Sequence, residues 1–365
     1  MFNAVSDDAY LSMPFSMGKQ MEKNMRIWLS LAVVSFCAFV QANEKVVNVY
    51  AWPQEVSLEI IEKFQKDTGI KVNFATFDSN EMLYAKMKAS KGQYDIIEPS
   101  GYYISRMIRE GMIQKIDLNA LTNYQNIDPR FRHPDYDLTG EYSIPWVWGV
   151  TGIFVNRNYH ASKKIEKWSD FWSQSYYDAL LMLDDPREVF NIGLLTLDQS
   201  PNEQNADILA EAYKHLLKLL PNIRLYNNNS VASLIIDEDV TVGMAWNADV
   251  YKASRENPAI EFIYPKDKFV MWVDAFAIPS DAPHPENAYI FLNYILQARI
   301  AAIQVQETYY AITNQAAKES LPKTLLDNKI LFPDDETLSR GIFQTDVNNE
   351  ALETISRYWQ LLKLQ

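Results

Sequence analysis

VVNVYAWPQEVSLEIIEKFQKDTGIKVNFATFDSNEMLYAKMKASKGQYDIIEPSGYYISRMIREG, residues Val46 to Gly111, is the stretch that decides the fold. Val46 to Trp52 alternates as a strand and ends in an aromatic. Val56 to Thr68 reads as a helix with Ile60, Ile61 and Phe64 on one face, and Gly69 supplies a left-handed stop. Ile70 to Phe77 is a second strand. Ser79 or Asn80 can cap a helix running through Ala89, with Met82, Leu83 and Met87 on its apolar side. Tyr94 to Ile97 is a third strand, closed by Pro99. Ser100 can cap a helix from Tyr102 to Glu110, stopped at Gly111. Three strands alternating with three helices make an α/β lobe with a largely parallel sheet. Such sheets bind ligands beyond the C-terminal ends of their strands, where Trp52, Ser100 and Tyr102 fall.

Further on, Ser143 to Asn156 reads as one long strand with Gly149 and Gly152 in its middle. Glycine inside a strand marks a bend or a close backbone approach, as a crossing between two lobes requires. Beyond it, the segments Trp168 to Trp172, the helix after Asp185, Ala206 to Leu220 and Val240 to Trp246 form a second α/β series. Met271 to Pro279 is a buried strand that projects Trp272, Asp274 and Phe276 from one face. An indole about 7 Å from a carboxylate along a strand suits a cation, which both groups attract. Taken alone, the stretch fits a structural acid beside a core tryptophan better than a cation site. Asp185, Pro186 and Glu188 likewise spell a capping box, in which both acids serve backbone N–H groups. If they also face a cleft, they can hold an ammonium against the positive helix end.

At 365 residues the chain is comfortable for two domains. Its 9 Trp and 21 Tyr suit a binding cleft. Ile27 to Val40 is apolar, follows Lys19, Lys23 and Arg26, and leads to small residues at Ala42. Residues 1–42 are therefore expected to be a leader and signal peptide rather than part of the fold, with Met25 as the more typical start. Cys37 is the one cysteine, so the mature chain has no thiol for a disulfide, a nucleophile or a metal thiolate. The formal charge of −13 is undiminished by losing that segment, because its three basic and three acidic side chains cancel. An acidic surface repels nucleic acid and anionic lipid and draws in small cations. The phosphate-loop, dinucleotide, nucleophile-elbow and zinc-helix motifs are missing. His133, His160, His215 and His284 are scattered and expected at the surface.

The chain resembles the periplasmic spermidine/putrescine-binding proteins of polyamine ABC transporters from about Val46 to Lys363. Thr68 to Val72, Ser79 to Glu81, Glu110 to Asp117 and Ser143 to Pro145 carry the likeness. So do Asp184 to Phe190, Gly243 to Asn247, Met271 to Pro279 and Gln344 to Val347. The resemblance implies a two-lobed type 2 periplasmic binding fold of class α/β, each lobe a mixed sheet flanked by helices and joined by hinge strands. Lobe one would be 45–149 plus 274–318, and lobe two 150–273 plus 319–365. The implied ligand-binding positions are Trp52, Ser100, Tyr102, Asp185, Glu188, Trp246, Trp272, Asp274, Tyr310 and Gln344. Glu55 stands where the family commonly has Tyr, and Glu98 where it usually has valine. Tyr309 to Asn314 departs from the family's Gly-Tyr-Pro-Thr-Pro-Asn, so the loop carrying Tyr310 is expected to sit differently.

The expected protein is a monomeric periplasmic carrier without catalytic residues, metal or cofactor. It would close on a polyamine and deliver it to a membrane permease. Asp185, Glu188 and Asp274 would pair with ammonium groups, with Glu55 as an added acid. Trp52, Tyr102, Trp246, Trp272 and Tyr310 would wall the methylenes, while Ser100 and Gln344 would supply hydrogen bonds. The competing readings are a binder of another organic cation, a sensor subunit, and a secreted glycoside hydrolase using a carboxylate pair.

Overall fold

β1, Val46–Ala51, is an apolar strand that takes the centre of a three-stranded parallel sheet in the computed structural model of the chain. The structure describes residues 45–162 and 164–365, so the expected signal segment and Cys37 lie outside the described residues. β1 pairs with β2 (Lys71–Thr76) on one side and β3 (Ile96–Ile97) on the other. Local chemistry sets the helices between them. α1, Leu58–Thr68, begins where Ser57 Oγ accepts from the Ile60 amide at 3.3 Å. It buries Ile60, Ile61 and Phe64 and stops at Gly69, whose φ of +69° suits a residue without a Cβ. α2, Asn80–Ala89, is capped by Ser79 and buries Leu83 and Met87. Met82, expected on that buried side, is exposed. α3, Gly101–Arg109, starts after Ser100, which occupies the cap position but makes no side-chain cap bond.

β4, Ile144–Asn156, is buried at all 13 positions. It is the spine of a mixed sheet that also contains β5 (Leu180–Met182), β6 (Ile223–Tyr226) and β7 (Val242–Trp246). The remaining strands are β8 (Ile260–Ile263), β9 (Phe269–Phe276), β10 (Ala311–Ile312) and β11 (Gly341–Phe343). The order is β11-β9-β4-β7-β5-β6, with β8 and β10 also paired to β4. β9 runs antiparallel to β4, Phe276 opposite Ile144 and Val270 opposite Thr151. The two sheets meet through an antiparallel bridge between Ile97 and Ala277.

Two apolar cores result. Val47, Ile60, Phe64, Trp146, Phe276 and Phe291 lie in the first, with Leu321, Leu325 and Leu331. Phe154, Trp168, Phe171, Leu181, Phe190, Met244 and Trp359 lie in the second. β4 belongs to both, giving Ile144 to the first and Phe154 to the second. Its glycines sit at the passage. A Cβ on Gly149 would lie 2.2 Å from the Trp272 ring, and one on Gly152 2.3 Å from the Phe262 ring. Close approach therefore explains both glycines. Gly149→Val is expected to displace the Trp272 indole and to lower stability by about 1–3 kcal/mol; a thermal melt equal to wild type would refute that. His160 corrects the expectation for the histidines: it is buried, with Nε2 2.9 Å from Thr241 Oγ1.

Candidate functional site

A cavity of about 300 Å³ lies between residues of the two cores, a size that suits a small ligand. All eleven site residues expected from sequence line it: Trp52, Glu55, Ser100, Tyr102, Asp185, Glu188, Trp246, Trp272, Asp274, Tyr310 and Gln344. They arrive from many separate places in the chain, mostly strand ends and helix starts. Trp52 follows β1, Ser100 and Tyr102 stand at the start of α3, and Trp272 and Asp274 project from β9. Trp246 ends β7, and Gln344 follows β11. Strand alternation puts Trp272 and Asp274 on one side, as expected, while Phe276 continues into the core against Trp146 and Phe291.

The acids Asp185 and Glu188 open α4, Pro186–Leu195. Only half of the capping box forms. Asp185 Oδ1 accepts from the Glu188 amide at 2.9 Å, whereas Glu188 does not return the bond to its cap. Gln344 Nε2 reaches Glu188 Oε1 at 3.5 Å, and Glu188 Oε2 is buried without a hydrogen-bond partner. Burial, then the charge of Asp185, pushes the Glu188 carboxyl up to about 8. Burial, then Glu81, raises Asp185 to about 6. Burial raises Asp274 to about 6 as well, against the nearby polar groups of Ser100, Glu55 and Trp52, which favour its ionised form. A site that raises the pKa of its acids in this way stabilises them poorly, and a cation would relieve it.

Aromatic rings form the walls. The Trp272 and Tyr310 rings meet edge to face with centroids 6.1 Å apart. Tyr310 follows α6, Ala298–Thr308, after Tyr309 takes a left-handed turn at φ +63°. That conformation is unfavourable for a residue with a Cβ, and a hydrogen bond from Arg255 Nη1 to the Tyr309 hydroxyl at 2.7 Å holds it. Tyr310 lines the cavity despite the departure at Tyr309.

Several cavity residues escaped the sequence reading. Asn80, read there as a possible helix cap, donates from Nδ2 to Ser100 Oγ and to the Tyr102 hydroxyl, both at 3.0 Å. Its Oδ1 accepts from the Ser100 amide at 3.0 Å, so one amide group fixes two wall residues. Asp249 and Lys252 on α5, Asn247–Glu256, also line the cavity. Lys252 Nζ donates to Gln54 Oε1 at 2.9 Å and lies 5.0 Å above the Tyr310 ring. Behind the acids, Arg187 is buried, 5.0 Å over the Tyr102 ring and bonded to Asn202 Oδ1 and the Thr345 carbonyl. Its charge favours ionisation of Asp185 and Glu188. Among the described residues no group of three or more acids, histidines or cysteines has the arrangement of a metal site.

Comparison with known proteins agrees with this architecture. The family model of bacterial extracellular solute-binding proteins matches residues 59–333. The chain is 39% identical over 316 residues to the spermidine/putrescine-binding periplasmic protein of Escherichia coli (strain K12), covering 86% of this chain and 90% of that one. It is 36% identical over 328 residues to spermidine/putrescine-binding periplasmic protein 1 of Haemophilus influenzae, covering 89% and 91%. The solved structure of the spermidine/putrescine ABC transporter substrate-binding protein from Streptococcus pneumoniae matches with a TM-score of 0.75 at 28% identity, over 87% of this chain and 98% of that one. With its two cores, its shared sheet and a cavity between them, the chain belongs to the bacterial extracellular solute-binding protein family, alongside these spermidine/putrescine-binding relatives.

Proposed function

We propose that the protein captures a polyamine, spermidine or putrescine, between two lobes in the periplasm and delivers it to an ABC permease. One observation carries the reading: three indoles, two phenols and carboxyls from both cores line a single cavity. A polyamine is a methylene chain with ammonium groups several carbons apart, and it needs aromatic walls along its length and acids at set separations. In this reading Asp274 holds one ammonium and Asp185 with Glu188 another. Trp52, Tyr102, Trp246, Trp272 and Tyr310 wall the chain, while Ser100 and Gln344 add hydrogen bonds. Each cation–aromatic contact contributes ~0.5–2 kcal/mol, and a micromolar site needs about 8 kcal/mol net. Several such contacts with charge-assisted hydrogen bonds reach that value after ordering costs.

The lobes of this reading divide at about residue 150 and again within β9. The first comprises 45–149 plus 274–318 and the second 150–273 plus 319–365, with Leu321, Leu325 and Leu331 of the second reaching into the first apolar core. A cleaved signal peptide at 1–42 exports the chain, which works as a monomer. Ligand bridging both lobes shifts an open–closed equilibrium by its differential affinity, which lets the permease separate loaded from empty carrier. A thermal-shift panel of putrescine, cadaverine, spermidine and spermine tests the assignment. At least one amine is expected to raise Tm by several degrees at a hundredfold excess over Kd. No shift with any of the four would refute it.

A further inference from the structure

Beside Asp274 the cavity is lined by Glu55, and behind these two, outside the lining, a third acid, Glu98, is fully buried. Glu55 follows Trp52 in the turn after β1, held there by a bond of 2.6 Å from Trp146 Nε1 to its own carbonyl. Glu98 follows β3, its amide bonded to the Tyr50 carbonyl at 3.0 Å. Asp274 faces both from β9. The three carboxyls form a row with Glu55 in the middle, within interaction distance of the other two. Glu55 and Asp274 are 5% exposed and Glu98 0%. Oε2 of Glu55, Oδ1 of Asp274 and both oxygens of Glu98 are buried with no hydrogen-bond partner. The Trp52 amide faces Glu98 but falls short of hydrogen-bond geometry.

The other charged and titratable groups nearby do not neutralise the row. Tyr310 faces Glu55 and Asp274 with a phenol held neutral by burial. Lys252, on α5, spends its ammonium on Gln54 and Asp249. Among the described residues no lysine, arginine or histidine forms an ion pair with any of the three acids. Adjacent buried carboxyls without a cation cannot all ionise. In the empty site the row therefore holds protons, and burial pushes Glu55 and Glu98 well above the usual carboxylate range.

We propose that Glu55 and Glu98 extend the Asp274 subsite into a proton-exchanging pocket for a primary ammonium. The ammonium enters between Asp274 and Glu55, and its N–H groups meet the acceptors that are unpaired there. Glu55 then ionises, its O–H proton leaves to the buffer, and the amine keeps all of its own protons. Glu98 acts behind it as a positioning residue, setting how tightly Glu55 holds its proton. The pocket is thereby selective for a –NH3⁺ terminus, since a trimethylammonium group has no N–H to place. The proposal rests on the amine-binding reading and adds to it a proton count and a specificity.

Calorimetric titration of the mature protein with spermidine at pH 7, in phosphate and in Tris, tests it. Wild type is expected to release protons, seen as a binding enthalpy that depends on the ionisation enthalpy of the buffer. Glu55→Gln is expected to release about one proton fewer and to bind about tenfold more weakly, as a lost hydrogen bond between charged groups does. Glu98→Gln, which removes a neighbouring acid and so lets Glu55 ionise more readily, is expected to reduce proton release and to bind spermidine more tightly. 1,4-Bis(trimethylammonio)butane is expected to bind wild type at least about tenfold more weakly than putrescine. Equal enthalpies in the two buffers, or a proton count unchanged in both variants, would overturn the proposal while leaving amine binding intact. No heat in either buffer together with no thermal shift would overturn the amine-binding reading itself.

Discussion

Asp274→Asn is expected to lower spermidine affinity at least about a hundredfold, because breaking a buried charge pair by removing one partner costs about 3–5 kcal/mol. The side chain is 5% exposed, so little water can replace the lost charge at the ammonium. Asparagine keeps the size and one acceptor oxygen, which separates loss of charge from loss of shape. The free variant should also melt no lower than wild type. Its carboxyl is held at about 6 by burial, so ionising it in the empty cavity works against the fold. Titration calorimetry beside a thermal melt reads both effects. Wild-type affinity in the variant would remove Asp274 from the ligand.

The free protein is expected to lose stability as the pH rises from about 4.5 to about 8. The sign follows from which state binds more protons. Glu188 rises from 4.5 to about 8, while Asp185 and Asp274 rise from 3.8 to about 6. Between those limits the folded chain keeps protons that the unfolded chain has released. The contribution of these groups is thus complete below the unfolded values and is lost as pH passes through the folded ones. Glu188 alone accounts for several kcal/mol at the upper end, since each pKa unit corresponds to about 1.4 kcal/mol. Glu110 acts in the opposite sense. Its burial is outweighed by hydrogen bonds from Tyr84, Lys88 and Arg106, which hold it at about 2, so its contribution fades below pH 4.5. Together these place the optimum of the ligand-free protein near pH 4.5. Saturating polyamine, by supplying ammonium groups to the same acids, should flatten the decline toward pH 8. A ligand-free melting temperature that climbs from pH 5 to pH 8 would contradict the buried acids directly.

What could be read from sequence follows from what is local. Strand alternation placed Trp272 and Asp274 on one side, and Gly69 and Gly149 announced a stop and a close approach, because each depends on its immediate neighbours. Family likeness gathered the rest of the expected site. Asn80 was hidden because the start of a helix offers asparagine a capping role, and only the packing of α2 on α3 turns it toward Ser100 and Tyr102. The pattern Asp185-Pro186-Arg187-Glu188 was ambiguous for the same reason. A capping box and a ligand-holding pair have one spelling, and the structure combines the two: Asp185 caps the helix and lines the cavity, and Glu188 lines the cavity without returning the cap bond. Lys252 and Arg187 lie over rings from distant segments, a contact that no local pattern encodes. The exposed face of Met82 was misjudged because the helical period alone does not say how wide the covered stripe is.

β4 carries a consequence for how this molecule can be taken apart. One strand completes the hydrogen bonding of β7 and β8 in one half and of β9 and β10 at the other, and it lends side chains to both interiors. A fragment ending before residue 144 or beginning after residue 156 would leave a raw apolar edge and a half-filled interior. Sharing that strand, the halves cannot be exchanged or expressed separately: the molecule has two interiors without being modular.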